Sequence, residues 1–174
     1  MRKPTVEELA FRIIRREEGY RDTHYRDSVG LLTIGVGHRL MNDNLGDRLL
    51  SKMTNRGEKP LPHWVIQETF LFDLEIAARN MKSIMERIRP APPGITRLRK
   101  AVLISMAFQM GETGLRNFHR MWRYIAAGDW LGASEEALNS KWAREDSPKR
   151  AHRHADMLRR DTKADCWPDE YPSE

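Results

Sequence analysis

The sequence predicts an α+β chain that is mostly helical, with a small antiparallel sheet near the N-terminus. A long connecting helix and an all-helical remainder follow. Three observations carry this expectation. The segment Tyr20–Leu40 is rich in aromatic, aliphatic and β-branched residues broken by turn formers. A helical pattern from Pro62 to about Arg89 is unusually long for a chain of 174 residues. Almost everything beyond it repeats apolar residues at helical spacing.

The first helix follows Pro4. Thr5 and Glu8 have the T-x-x-E spacing of a capping box. Val6, Leu9, Ala10, Ile13 and Ile14 form one buried face, and Gly19 is the expected stop, which leaves Glu18 at the helix end. Strands are expected around His24–Arg26 and Leu31–Val36, with Asp27, Ser28 and Gly30 turning between them. Gly35 and Gly37 permit sharp or crowded backbone. Residues 41–61 read as loop, with a short helix around Asp47–Met53.

Pro62 opens the long helix, whose apolar positions include Val65, Phe72 and Ile76, and PAPPG at 90–94 ends it. Thr96 caps an apolar helix through Val102, Ile104, Met106 and Phe108, punctuated by Gly111 and Gly114. Shorter helices follow at His119–Ala127, Asp129–Leu138 and Pro148–Arg160, with Asp129 and Ser147 as N-caps. The tail CWPDEYPSE reads as irregular. The expected organisation is one domain over 1–174. Its lobes lie at about 15–61 and 90–165 plus the helix 5–18, linked by helix 62–89.

Composition narrows the class of partner. Thirty Lys and Arg against 25 Asp and Glu give a net charge of +5, which favours a polyanionic partner such as nucleic acid, acidic lipid or a cell-wall polymer. No run of about 18 apolar residues exists, so no membrane insertion is expected. MRKPTVEELAF has no apolar core of a secretory signal. Cys166 stands alone, which excludes an internal disulfide or a CxxC pair. The six His form no H-E-x-x-H, and His152 and His154 are expected to face solvent on a basic helix rather than hold a metal. There is no phosphate-binding glycine loop. The positive charges of 141–160 are interleaved with Glu145, Asp146 and Asp156, unlike a nucleic-acid-binding helix. The Met residues read as core filler.

The chemistry concentrates in REEGYRDTHYRDSVGLLTIGVGHRL, residues 16–40. Glu18 ends a helix, Asp27 lies on a turn and Thr33 on the following strand. A helix end with a turn folded back on it can set two carboxylates across a cleft, which is the minimum equipment for glycoside hydrolysis. Glu18 sits at the negative end of the helix dipole, which disfavours its anion, whereas Asp27 sits in polar turn sequence. These are the environments of a general acid and an ionised partner. The Thr33 hydroxyl could hold a water between them. Glu17 adjoins Glu18 but should point about 100° away around the helix.

The surroundings of this triad resemble those of the phage-type lysozymes, a muramidase family. EEG, YRD at 25–27 and LLTIGVGH at 31–38 carry the first block of resemblance, AFQMGETG at 107–114 the second, and SKWAREDSPKRA at 140–151 the third. Together they run from about residue 7 to 160. The resemblance implies a lysozyme-like two-lobed fold with peptidoglycan bound between the lobes. It implies Glu18 as general acid, Asp27 as second carboxylate and Thr33 as the residue completing the triad. Phe108 and Gln109 match cleft positions expected to contact the glycan, Arg150 matches a cleft arginine placed near the catalytic acid Glu18, and Lys141 stands where the family has an Arg beside the C-terminal Trp. Lysine keeps the charge but loses the bidentate fork. His38 and Asp73 match a structural pair bridging the sheet and the long helix. Val29 stands where the family can carry an acidic residue.

The function implied is a muramidase hydrolysing the β-1,4 bond from N-acetylmuramic acid to N-acetylglucosamine. No metal or cofactor is expected, the anomeric carbon should be inverted, and the enzyme should be monomeric. The role implied is a phage endolysin, waiting in the host cytoplasm until a holin opens the inner membrane; a cell-wall-degrading bacterial or prophage enzyme fits equally well. Two alternatives stay open: a lytic transglycosylase, and an inactive basic module binding wall glycan or nucleic acid. Asp27 and Thr33 argue against the first, and the complete triad argues against the second.

Overall fold

The computed structural model describes residues 2–27, 30–40 and 60–162. The helix expected around Asp47–Met53, the position of Val29, Cys166 and the tail lie outside them. The fold is mostly helical with one small antiparallel sheet.

Helix α1 spans Val6–Glu18. Its capping box forms as the sequence predicts: Thr5 Oγ1 accepts from the Glu8 amide at 3.2 Å, and Glu8 accepts from the Thr5 amide at 2.8 Å. Leu9, Ala10, Ile13 and Ile14 are buried, and Gly19 ends the helix at φ 73°. Strands β1 (Arg21–Arg26), β2 (Leu32–Gly35) and β3 (His38–Arg39) follow in sheet order. Tyr25 pairs with Thr33, and Thr33 with Arg39, so these three side chains share one face of the sheet.

Helix α2 spans His63–Arg87. Its buried stripe is Val65, Ile66, Phe70, Leu74, Ala77, Met81 and Ile84. Phe72 and Ile76, two of the apolar positions named from the sequence, flank this stripe and are only half-buried. The approach of α2 to the sheet requires Gly35. Its backbone is left-handed at φ 59°, and a Cβ there would lie 2.6 Å from Ile66 Cγ2. His38 Nδ1 and Asp73 Oδ2, 2.7 Å apart, tie β3 to α2 as the resemblance implied.

Helix α3 spans Arg97–Arg116 and is broken at Gly111, whose φ of 71° and ψ of 177° are not helical. Thr96 caps it by accepting from the Arg99 amide at 3.3 Å. Both α1 and α2 pack against α3. Helices α4 (His119–Ala127), α5 (Trp130–Leu138) and α6 (Pro148–Arg160) complete the described residues, with a π-helical turn at Trp142–Asp146, between α5 and α6, that the sequence did not announce. Asp129 caps α5 through the Gly132 amide at 2.9 Å. Ser147 stands at the N-cap position of α6 but makes no capping bond, because its hydroxyl is engaged elsewhere. The core joins α1, β2, α2 and α3 to the later helices, with Met106, Met121 and Met157 filling it. Among the described residues no helix is long and apolar enough to cross a membrane.

Candidate active site

Glu18 closes the last turn of α1. Its Oε1 accepts from Arg150 Nη1 of α6 at 2.5 Å. The arginine side chain is only 7% exposed and the glutamate 24%. Its other oxygen, Oε2, faces the turn between β2 and β3. A Cβ on Gly37 would lie 3.5 Å from Oε2, and Gly37 itself is left-handed at φ 78°. A glycine therefore serves twice here: it closes the tight turn and lets backbone run beside the carboxylate. Oε1 is committed to a cation, while Oε2 lies along the turn.

Asp27 is held by its own turn. Its amide donates to the Leu31 carbonyl at 2.9 Å, and its Oδ1 accepts from the Leu31 amide at 2.9 Å. Arg39 Nε of β3 donates to Oδ2 at 2.8 Å. Both oxygens thus accept hydrogen bonds, which suits the anion. Thr33 is buried, and its hydroxyl donates to the same Leu31 carbonyl at 3.0 Å. Asp27 and Thr33 are therefore fixed in one local frame, with the threonine oxygen still able to accept.

Tyr25, next to Thr33 across the sheet, reports on both carboxylates. Burial pushes its phenol above 10, and the negative charges of Glu18 and, more weakly, Asp27 push in the same direction. The sequence did not single out Tyr25, although the YRD block contains it.

The remaining residues expected in the cleft lie on α3 and beside the π-helical turn. Gln109 Oε1 accepts from Trp142 Nε1 at 2.8 Å, and Gln109 Nε2 donates to Ser147 Oγ at 2.6 Å. One amide thereby joins α3, the π-helical turn and the start of α6. Phe108 is half-buried, with its ring edge-on to Phe70 at 5.9 Å between centroids. Lys141 stands apart. It is exposed and pairs with Asp146, 3.8 Å away in its own segment, while its neighbour Trp142 makes the contact to Gln109.

One expectation needs correction, and one side chain that points as expected has an unexpected partner. His154 does not face solvent: it is fully buried, because α6 turns it onto α3, whereas His152 is exposed. Glu17 does point away from Glu18, but not into solvent. Its side chain is 3% exposed and pairs with both Arg153 Nε, at 2.8 Å, and Arg153 Nη2. Arg150 and Arg153 of α6 thus grip two consecutive glutamates at the end of α1. Among the described residues no group of three or more His, Cys, Asp or Glu could hold a metal ion.

Comparison with known proteins agrees with the geometry. The family described as "Phage lysozyme" matches residues 15–162. The chain is 34% identical to the pre-baseplate central spike protein Gp5 of Enterobacteria phage T4 over 139 residues, which is 75% of this chain but only 24% of that protein. It is 25% identical over 153 residues to the probable T4-type lysozyme 1 of Dictyostelium discoideum, covering 81% of this chain and 88% of the relative. A second Dictyostelium protein, probable T4-type lysozyme 2, is 24% identical over the same length. With the match extending from the end of α1 to beyond α6, the chain belongs to the phage lysozyme family.

Proposed function

We propose that this chain is a muramidase that hydrolyses the β-1,4 bond between N-acetylmuramic acid and N-acetylglucosamine in bacterial peptidoglycan. The observation that carries the reading is the division of labour at Glu18: one oxygen on Arg150, the other beside the Gly37 turn. A proton on Oε2 is given to the leaving glycosidic oxygen while Oε1 stays anchored. Asp27, whose two oxygens accept from the Leu31 amide and from Arg39, stabilises the oxocarbenium-like transition state. The Thr33 oxygen and Asp27 orient the attacking water, and Asp27 takes up the proton the water loses as its oxygen bonds to the anomeric carbon. Water on the face opposite the leaving group inverts the anomeric carbon. Phe108, Gln109 and Lys141 are the proposed glycan contacts.

Mass spectrometry of digested peptidoglycan tests this reading. Reducing muramic ends support it, anhydro ends would make the enzyme a lytic transglycosylase, and no cleavage would leave a binding module. The biological role we favour is a monomeric endolysin, kept in the host cytoplasm until a holin lets it reach the wall. Similarity to a phage spike protein favours a second role, a wall-opening enzyme carried in the particle. Detection in purified particles, rather than only in infected cells, would select the second.

A further inference from the structure

The buried His154 takes no part in the chemistry proposed above, yet it is connected to it. His154 Nδ1 lies 2.9 Å from the carbonyl oxygen of Arg150. A carbonyl only accepts, so Nδ1 carries the hydrogen, and the neutral ring leaves Nε2 as an acceptor. Nε2 lies 2.9 Å from Ser105 Oγ of α3, so the hydroxyl donates to it. The serine oxygen then keeps its lone pairs for Arg150 Nη2, which donates to it at 3.2 Å. The order is closed: Arg150 guanidinium to Ser105, Ser105 to His154, His154 to the backbone of Arg150. Ser105 and His154 are both 0% exposed and Arg150 is 6% exposed. Arg150 Nε has no partner among the described residues, so the guanidinium is oriented by Glu18 on one nitrogen and Ser105 on the other.

We propose that Ser105 and His154 are positioning residues for the catalytic acid, holding the Arg150 guanidinium, and through it Glu18 Oε1, in the geometry that hydrolysis needs. This rests on the muramidase reading. The direction of the chain depends on a neutral imidazole. A protonated Nε2 would donate to Ser105 and take away the acceptor of its hydroxyl, leaving that buried hydrogen without the partner that closes the order. Burial, with the charges of Arg150 and Arg153 beside it on α6, holds His154 well below 6.5. Its other neighbours are the Ser105 hydroxyl of α3 and the edge of the Trp142 ring.

The test uses the whole chain. Nitrogen-15 spectra of labelled histidine should show His154 neutral with hydrogen on Nδ1 at neutral pH. An imidazolium, or hydrogen on Nε2, would overturn the proposal. Ser105→Ala and His154→Phe should lower kcat for reducing-end release from soluble peptidoglycan fragments roughly 10-fold, with KM within about twofold. Folded variants with wild-type kcat would equally overturn it, because a merely structural histidine lowers the melting temperature without touching kcat. Where variants do not fold, the histidine spectrum of the wild type decides. If the wild type releases no reducing ends, the muramidase reading fails separately. The tether is then judged on the Arg150 Nη resonances, which should be resolved in the wild type and averaged in Ser105→Ala. Unchanged resonances would refute it.

Discussion

Glu18→Gln separates chemistry from packing. The amide keeps an oxygen for Arg150 but has no proton acidic enough for a leaving alkoxide, so lysis should fall about 100–10,000-fold. Arg150 loses a charged partner while nearly buried, so a stability loss of about 1–2 kcal/mol should accompany it. Turbidity loss of chloroform-treated Gram-negative cells, with thermal melting alongside, measures both. Glu17→Gln is the comparison with the opposite profile: it weakens the pair with Arg153 and should melt earlier while still lysing. Activity lost in Glu17→Gln and kept in Glu18→Gln would move the acid by one residue. His154 makes a separate prediction about pH. Its folded pKa is depressed below the unfolded value near 6.5, so in acid the unfolded chain binds a proton that the native chain refuses. Its contribution is fully present well above pH 6.5 and is lost as pH falls through and below that value, at up to about 1.4 kcal/mol per pH unit. Urea unfolding at a series of pH values should show a flatter acid limb in His154→Phe. An equal slope in the two proteins would contradict burial of a neutral ring.

On the proposed mechanism, the turn between β2 and β3 serves the site as well as connecting two strands. Gly37→Ala forces a side chain into φ 78° and sets a methyl 3.5 Å from Glu18 Oε2. The backbone strain should cost about 1–2 kcal/mol. Lysis should fall by more than that loss explains, because the methyl stands where the leaving oxygen must approach. Comparing kcat/KM at a temperature where both proteins are fully folded checks this, and equal values would remove the turn from the site. At the other end of α1 the capping box is local, and Thr5→Ala should cost about 1 kcal/mol with activity per folded molecule unchanged. Such an element is legible in sequence because its partners lie within four residues. The π-helical turn at Trp142–Asp146 is not legible in that way. Its geometry is set by the Gln109 bridge between Trp142 and Ser147, two partners more than 30 residues from it in sequence. The same bridge explains why Ser147, a good cap by composition, does not cap α6.

At the scale of the molecule, the net charge of +5 should draw the enzyme to an anionic wall. Lysis of whole cells should therefore weaken as salt rises and the Debye length shrinks below about 10 Å. Cleavage of small soluble fragments should change little, and equal salt dependence for both would place the effect in the site rather than on the surface. Amino-acid order alone determined the elements: capping boxes, glycine stops and apolar periods act over one or two helical turns and placed α1, the sheet region, α2 and α4–α6 nearly at their observed bounds. It also nominated Glu18, Asp27 and Thr33, because a motif and its flanking blocks are local text. Only the tertiary structure decided that Glu17 meets Arg153, that Oε1 rather than Oε2 of Glu18 is committed to Arg150, and that His154 lies inside against Ser105. The same packing drew Phe72 and Ile76 to the side of the core stripe and left Lys141 outside the Gln109 contact. These outcomes depend on the angle at which α6 meets α1 and α3, and a helix read by periodicity shows which face is apolar but not which partner that face will find.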